Sequence, residues 1–155
     1  MPKNRLTEIL NDAAIAYEVI HHNPDYSALE AAHDTHTPGA EFAKAVVLNT
    51  DDGPALAVLP APRMVDLAAF AAIAGTEKVR LANENTIREL FPDCQVGAEP
   101  PFGRLYDMPV YLDEDLAGQE YITFNAGTHD EAIRIRYADY ERLESPTHGC
   151  FARPR

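Results

Sequence analysis

The stretch Phe42-Ala43-Lys44-Ala45-Val46-Val47-Leu48-Asn49 decides the class of fold, together with the residues that follow it. It is dense in apolar and β-branched residues, which favour a central β-strand. Asp52-Gly53 then predicts a hairpin turn, and the apolar segment from Ala55 to Leu59 predicts the return strand. The hairpin, and the lack of a regular strand–helix repeat around it, argue against a doubly wound parallel sheet.

Further helices and strands are predicted on both sides of this hairpin. Apolar residues at helical spacing predict a helix over 5–16, and Ser27-Ala28-Leu29-Glu30 forms a capping box for a short helix to Ala32. An alanine-rich helix from Asp66 ends at Gly75, and Asn83 caps a helix that runs to Leu90. The remaining predicted elements are strands at 17–21, 78–81, 109–112, 121–125 and 132–136 and a helix at 137–143. We therefore expect an α+β fold with a mixed, curled, barrel-like β-sheet and helices packed outside it.

Length and composition limit the class of protein. The 155 residues suit one domain with its own core, so we expect a single domain over 1–155. No apolar run approaches the roughly 18 residues of a membrane span, and the N-terminus lacks the pattern of a signal peptide. The two cysteines, Cys94 and Cys150, have no spacing typical of a disulfide framework or a zinc site. These features predict a cytoplasmic protein with no membrane partner.

The charge balance bears on the choice of partner. Thirteen Lys and Arg residues against twenty-five Asp and Glu residues give a net charge of −12. Proteins that coat nucleic acid normally carry a basic excess, because neutralising phosphates supplies much of their affinity. Broad nucleic-acid binding, including binding to DNA, is therefore not expected, whereas a small local contact with RNA stays open.

The stretch Gly97-Ala98-Glu99-Pro100-Pro101-Phe102-Gly103 predicts a rigid loop with unused hydrogen-bond donors. Gly97 allows backbone angles closed to other residues, and the two prolines fix φ and remove two N–H groups. The N–H groups around Gly97 and Ala98 would then be available to a ligand. A fixed loop with free donors can hold a carbonyl or a phosphate; a stiff structural turn is the alternative.

Two further segments carry candidate binding groups. Lys44 starts a very apolar strand, so its side chain either lies on the surface or binds a phosphate, carboxylate or ester oxygen. Phe124-Asn125-Ala126-Gly127-Thr128-His129 leaves a strand and turns sharply at Gly127. This pattern suits an ordinary turn, yet an amide, a hydroxyl and an imidazole at one strand end are also typical of a binding site.

Metal and covalent chemistry are not indicated by the sequence. His33-x-x-His36 has helical spacing, but Thr37-Pro38 ends a helix there, and the adjacent His21-His22 would point to opposite faces of a strand. Neither of the two serines lies in a nucleophile elbow. Cys94 has no basic neighbour to activate it, so we expect a structural thiol. We therefore predict neither a metal nor a cofactor.

Taken in order along the chain, these segments resemble the YbaK family of aminoacyl-tRNA deacylases. The same domain is inserted as the editing domain of many bacterial prolyl-tRNA synthetases. The resemblance covers about Leu6 to Leu143, and no single segment is specific, whereas the ordered set is. The segments are the strand with Lys44, Val58-Leu59-Pro60, Val65-Asp66-Leu67, Leu81-Ala82-Asn83-Glu84, the Gly-x-x-x-Pro loop Gly97–Pro101 with Phe102-Gly103, Pro109-Val110-Tyr111-Leu112-Asp113 and Asn125–His129.

The resemblance implies hydrolysis of the ester between a wrong amino acid and the terminal adenosine of a tRNA, without a metal or a covalent nucleophile. It implies that Lys44 positions the terminal nucleotide and that the backbone of Gly97 to Pro101 holds the substrate carbonyl and the developing oxyanion. The implied catalytic residues are Lys44, Gly97, Pro101 and His129. Attack by water or by the substrate's own group would be aided by the vicinal ribose hydroxyl, and orientation alone can supply several kcal/mol.

The resemblance also implies the substrate. A small pocket would select an amino acid such as alanine, serine, threonine or cysteine by size, as the second sieve of an editing scheme. Its implied partners are the acceptor end of an aminoacyl-tRNA and an aminoacyl-tRNA synthetase that recruits the protein. The implied substrate-binding residues are Tyr26, Ser27, Ala45, Val46, Ala98, Glu99, Pro100, Asn125, Gly127 and Thr128.

One residue departs from the family pattern and two alternatives stay open. Glu99 occupies a loop position where small or apolar residues are commoner; its carboxylate would either repel tRNA phosphate or face solvent. The first alternative function is a non-catalytic module of the same fold that binds an aminoacyl group or a nucleotide, or docks on another protein. The second is hydrolysis of a small ester unrelated to tRNA, which the acidic surface favours.

Overall fold

A computed structural model describes residues 2–25 and 27–154. Within these ranges the α-helices are α1 (Pro2–Asp12), α2 (Ala28–Asp34), α3 (Leu67–Ala74), α4 (Glu84–Leu90), α5 (Glu114–Ala117) and α6 (Tyr137–Glu144). The β-strands are β1 (Glu18–His21), β2 (Ala43–Thr50), β3 (Gly53–Pro60), β4 (Arg63–Val65), β5 (Val79–Leu81), β6 (Val110–Asp113), β7 (Tyr121–Asn125), β8 (Glu131–Arg136), β9 (Thr147–Gly149) and β10 (Ala152–Pro154). Short 3-10 turns occupy Gly39–Glu41 and Gly103–Leu105.

The predicted hairpin forms the middle of a five-stranded sheet with the order β5-β2-β3-β6-β9. β2 and β3 pair antiparallel over their whole length, from Ala43 opposite Pro60 to Thr50 opposite Gly53. β5 is antiparallel to β2, whereas β6 and β9 run parallel to their neighbours, so the sheet is mixed as predicted. Gly53 starts the return strand at φ 113°, a backbone angle that favours glycine.

A second, antiparallel sheet has the order β1-β8-β7, and β4 and β10 form a separate two-stranded ribbon. Among the described residues one isolated bridge joins the two larger sheets, and in it Phe42 pairs parallel with Thr123. Beyond this bridge β2 and β7 run in the same direction without further pairing. Lys44 and Asn125 each lie two residues past the bridge. The strands β2 and β7 are therefore neighbours at the point where the two sheets separate.

Alternation along β3 divides the core between the two faces of the five-stranded sheet. Leu56 and Val58 belong to the larger apolar cluster, which also takes in residues of β7, β8, α1 and α6. Ala57 and Leu59 face the other way, toward Phe70 of α3 and Phe151. Side chains of successive strand residues point to opposite faces, which explains why the nearly continuous apolar run of β3 is buried on both sides.

The predicted α+β class is confirmed, and the barrel-like closure is not. Within the described part of the chain three sheets are formed and none of them closes, because β5 and β9 remain edge strands. Most predicted elements are present with shifts of one or two residues; the first helix ends earlier, at Asp12 instead of residue 16. The predicted caps are also found: Asn83 Oδ1 accepts the Thr86 N–H at 2.8 Å, and Gly75 ends α3 at φ 69°.

None of the described helices is both long enough and apolar enough to cross a bilayer.

Asp113 fastens the C-terminal strand to the sheet. Its carboxylate is 3% exposed, and Oδ1 accepts the N–H groups of Phe151 at 3.0 Å and Ala152 at 2.9 Å. Oδ2 accepts the N–H of Asp115 at 3.1 Å, which caps α5. One buried side chain therefore satisfies three backbone donors and places β10 beside β4.

We expect Asp113→Ala to lower the free energy of unfolding by about 2–4 kcal/mol, because it removes a helix cap and leaves buried N–H groups without an acceptor. Urea unfolding followed by circular dichroism measures this loss. Asp115→Ala is the matched control: its carboxylate is 56% exposed and pairs with Arg63 at 3.1 Å, a contact worth below about 1 kcal/mol. Equal losses in the two variants would contradict the role assigned to Asp113.

Candidate active site

Three segments distant in sequence are joined by hydrogen bonds at the end of the three-stranded sheet. The turn after β7 exchanges two backbone bonds with the loop that follows α4: Gln95 N–H donates to Gly127 O at 2.8 Å and Gly127 N–H to Ala98 O at 2.9 Å. His129 is held on the same loop, since its backbone N–H donates to Gln95 Oε1 at 2.7 Å. The segment before α2 joins them through Asp25 N–H, which donates to His129 O at 2.9 Å.

The Gly-x-x-x-Pro loop has the rigid conformation that its sequence predicts. Gly97 adopts φ 90°, in the region that favours glycine. Ala98, Pro100 and Pro101 are buried, and the Tyr140 hydroxyl donates to Pro101 O at 2.7 Å. The loop is therefore fixed from the core side as well as by its own prolines.

The two donors expected to be free are both engaged inside the loop. Gly97 N–H donates to Glu99 Oε1 at 2.8 Å, and Ala98 N–H donates to Gln95 O at 3.0 Å. The expectation of unused N–H groups is therefore not met in this state of the loop. A ligand carbonyl can use the Gly97 donor only by taking the place of the Glu99 carboxylate.

Glu99 is buried in the loop, with 6% of its surface exposed, so the second of the two alternatives given for it, that its carboxylate faces solvent, is wrong. Burial raises the pKa of its carboxyl, while the Gly97 N–H and the nearby His129 act in the opposite direction. The imidazole of His129 lies next to Gly97, where an added Cβ would be 3.4 Å from Cε1. The adjacent ring atom, Nε2, hydrogen-bonds to Val96 O at 2.8 Å.

Polar side chains lie in the last part of β7 and in the turn after it. Asn125 is buried, and its Oδ1 has no hydrogen-bond partner among the described residues. The Oγ1 atom of Thr123, two residues earlier on the same face of the strand, is buried without one as well. Thr128 Oγ1 donates to Asp130 at 2.8 Å, within the turn. Two buried acceptors on one strand face are unusual, because buried polar atoms are nearly always hydrogen-bonded.

Strand alternation separates the β2 residues assigned to the site. Ala45 packs against the larger apolar cluster, whereas Val46 faces the opposite side of the sheet with the smaller one. Lys44 shares the face of Val46 and lines a cavity with Met64 and Leu81. Among the described residues that line this cavity, none comes from 95–101 or 125–129. The cavity that Lys44 lines is therefore distinct from the hydrogen-bonded loop and turn.

The predictions near the start of α2 have mixed outcomes. Tyr26 lies outside the described residues. Ser27 is the N-cap of α2: its Oγ accepts the Glu30 N–H at 3.1 Å, so its oxygen serves the helix. No sequence pattern predicts that Gln95, Val96 and Asp25 hold the loop and the turn together, since each is an ordinary polar or apolar loop residue.

The described side chains offer positioning and hydrogen bonding in place of an activated nucleophile. Burial raises the pKa of the Cys94 thiol to about 12, as does its neighbour Asp93, so the thiol stays protonated. Among the described residues, no group of three or more His, Cys, Asp or Glu side chains has an arrangement that could hold a metal ion. What the geometry supplies is a rigid loop, a buried amide oxygen and an imidazole at one strand end.

Comparisons with known proteins find similar proteins among those that edit tRNA. The family model described as "Aminoacyl-tRNA editing domain" matches residues 22–143. The multifunctional Ser/Thr-tRNA deacylase ProXp-y of Escherichia coli K12 is 29% identical over 147 residues, which are 92% of this chain and 87% of that protein.

Solved structures share the fold over nearly the whole chain. A protein proposed to be a trans-editing enzyme for prolyl tRNA synthetase superposes with a TM-score of 0.86 at 23% identity, covering 98% of this chain and 97% of that one. A structure from a study of epitope backbone grafting by computational design gives a TM-score of 0.85 at 21% identity, with coverage of 99% and 98%. At these identities the likeness shows the fold alone.

Proposed function

Since the chain belongs to the aminoacyl-tRNA editing domain family and is an aminoacyl-tRNA deacylase, we propose that it acts in trans on a mischarged tRNA that carries a small amino acid. The observation that carries the proposal is the pair of backbone hydrogen bonds between Gly127 and the Gly97–Pro101 loop region. They hold a rigid loop against the polar end of β7, as a site for an ester requires. We also propose that residues 1–155 form a single domain, which contains this site.

The proposed chemistry is hydrolysis by positioning. The ester carbonyl displaces the Glu99 carboxylate from the Gly97 N–H, and this donor then stabilises the oxyanion that forms when water or a substrate group attacks. The fixed backbone through Pro101 keeps the donor in place, and His129 supports it from the side. Lys44 holds a phosphate or sugar oxygen of the terminal nucleotide. Aminoacyl esters are labile, so orientation suffices for a large acceleration.

We propose that serine and threonine are preferred among the small amino acids. Asn125 Oδ1 and Thr123 Oγ1 are buried acceptors without partners in the described structure, and a substrate hydroxyl or ammonium group can donate to them. A site with such groups discriminates against analogues that lack the hydroxyl, because the acceptor then stays unsatisfied. The activity named for the Escherichia coli relative agrees with this preference. Ala45, Ala98, Pro100, Gly127 and Thr128 remain the proposed walls and turn of the pocket, whereas Val46 lies on the other face of β2.

The acidic surface bears on how tRNA is approached. A net charge of −12 opposes long-range attraction of RNA, so we propose a small contact limited to the acceptor end, with recruitment by an aminoacyl-tRNA synthetase in the cytoplasm.

The test is a set of mischarged tRNAs carrying serine, threonine, alanine or cysteine, incubated with the protein and with its Lys44→Ala variant. We expect accelerated loss of the amino acid from at least the serine or threonine ester. Lys44→Ala should lower kcat/KM about 100-fold, a size typical of removing one group that positions charge in an active site. Lys78→Ala, which removes an exposed lysine of the neighbouring strand region, is the matched control and should retain full activity.

Two outcomes would reject the proposal and point to the alternatives. Stabilisation of the protein by an aminoacyl-tRNA without ester loss would favour a non-catalytic binding module. Faster hydrolysis of a free aminoacyl-nucleotide ester than of full-length aminoacyl-tRNA would favour a small-ester hydrolase.

A further inference from the structure

Glu99 is a buried carboxylate whose hydrogen bond does not account for its charge. The described part of the chain has three buried acidic residues, Asp25, Glu99 and Asp113. Asp113 accepts three backbone N–H groups, and Asp25 Oδ2 lies 3.0 Å from Nδ1 of His22. Glu99 Oε1 accepts the Gly97 N–H at 2.8 Å, and no described lysine or arginine forms an ion pair with this carboxylate.

A neutral side chain would satisfy the Gly97 N–H equally well. One backbone donor needs one acceptor, which an amide or hydroxyl oxygen supplies. Burial of a carboxylate costs more free energy than burial of a neutral polar group, and burial accordingly raises the pKa of Glu99. A buried charge at the proposed oxyanion donor therefore points to a ligand that brings a positive group to the same place.

The backbone around Glu99 keeps its carboxylate at this position. Ala98 and Pro100 on either side are buried, and a residue that precedes a proline is restricted to extended backbone angles. A ligand oxygen that takes the Gly97 N–H therefore displaces only the side chain of Glu99, by rotation about its own bonds. The displaced carboxylate stays beside the ligand group that has replaced it.

An amino acid ester carries a positive group next to its carbonyl. The α-ammonium is attached to the carbon that is bonded to the carbonyl carbon, so the nitrogen and the carbonyl oxygen lie close together. Free α-amino groups titrate near pH 8, so much of the ester carries this charge at neutral pH. A hydrogen bond between an ammonium and a carboxylate is about twice as strong as one between neutral groups.

We propose that Glu99 is a specificity-determining residue that binds the α-ammonium of the aminoacyl ester and thereby selects esters with a free amino group. The assignment rests on the proposed function, in which the ester carbonyl takes the Gly97 N–H. An N-acylated amino acid has no charge there and brings extra atoms against a buried carboxylate, so it binds weakly. Asn125 Oδ1 and Thr123 Oγ1 are then left for the side-chain hydroxyl of serine or threonine.

The test uses an analogue that cannot be hydrolysed, in which an amide replaces the ester between serine and the 3′ position of adenosine. Isothermal titration calorimetry measures the affinity for this analogue with a free amino group and with an N-acetyl group. The unmodified protein should bind the free-amine form about 10–100-fold more tightly, as expected for a hydrogen bond between charged groups. Glu99→Gln keeps an oxygen for the Gly97 N–H and removes the charge, so it should bind both forms about equally.

Glu89→Gln is the matched control, because it removes the same charge from an exposed glutamate of α4. It should keep the preference of the unmodified protein. A role of Glu99 limited to holding the loop would change the affinity for both forms alike, so an unaltered ratio in Glu99→Gln would overturn the proposal. Equal binding of the two forms by the unmodified protein, or no binding of the free-amine form, would overturn it as well.

The result is separate from the fate of the deacylase proposal, because binding of the analogue needs no turnover. Loss of the amino acid from a mischarged tRNA, together with equal binding of the two analogue forms, rejects only the role of Glu99. A preference for the free amine that is lost in Glu99→Gln supports the ammonium site even where no ester is hydrolysed.

Discussion

Gly103→Ala is expected to lower the free energy of unfolding by at least about 3 kcal/mol. An added Cβ would lie 2.3 Å from the backbone oxygen of Met108 and 2.6 Å from Cγ2 of Val110. The nearer atom belongs to backbone that is held in the turn, since the Met108 N–H donates to Gly103 O at 3.1 Å. Met108 also leads into β6, so its oxygen cannot move aside without shifting an interior strand of the sheet. Overpacking of this kind reaches the upper end of what single substitutions do.

Thermal unfolding of Gly103→Ala beside Gly118→Ala checks this prediction. At Gly118 an added Cβ meets nothing closer than the backbone oxygen of Asp115 at 4.0 Å, and φ is −84°. That variant should be as stable as the unmodified protein or slightly more stable, because alanine restricts the unfolded chain. A difference in Tm of about 10 °C between the two is expected for a chain of this length. Equal Tm values would show that the turn at Gly103 yields easily.

Gly97→Ala is expected to reduce deacylation about 100-fold with only a modest loss of stability. The added Cβ would be 3.4 Å from Cε1 of His129, an ordinary contact, so the ring need not move. The cost of about 1–2 kcal/mol comes from φ 90°, which an alanine tolerates poorly. Relief of this strain turns the Gly97 N–H away from its present direction, and the donor proposed to hold the oxyanion is lost.

Gly75→Ala separates the loss of the donor from the general effect of strain. Gly75 has φ 69° at the end of α3, and an added Cβ would meet nothing within 4 Å. It should lose a similar amount of stability and keep full activity. Single-turnover assays on a mischarged tRNA, with urea unfolding of the same samples, measure both quantities. Deacylation by Gly97→Ala at the rate of Gly75→Ala would remove the Gly97 backbone from the mechanism.

The parts of the fold that were predictable are those with local chemical signals. Ser27 and Asn83 cap their helices as their side chains predict, Gly75 ends α3, and the turn before Gly53 joins β2 to β3. The strands β4, β9 and β10 were missed. Each has three residues and no alternating apolar pattern, and β10 includes Pro154, so their strand structure comes from pairing with distant segments.

The predictability of the candidate site differs between its parts. The loop conformation at Gly97 follows from a glycine that is followed, three and four residues later, by two prolines. The engagement of its N–H by Glu99 does not, because a carboxylate two residues away can turn inward or outward with equal local geometry. The separation of Ala45 from Val46 follows from the period of a strand, whereas Arg153 reaches Lys44 only through the ribbon of β4 and β10.

The hydrogen bonds that join Asp25, Gln95 and His129 also bear on the order of folding. These bonds link residues 34 and 104 positions apart, so the segments that form the site must find one another across most of the chain. Closing such long loops is entropically unfavourable until the intervening strands have paired, and contacts of this separation slow folding. The hairpin of β2 and β3 joins residues that are close in sequence, so it can form early. The bonds between Asp25, Gln95 and His129 join distant segments, so they cannot start folding in the same way. We therefore expect the loop of the proposed site to order late in folding, and a partly folded chain to have no residual activity.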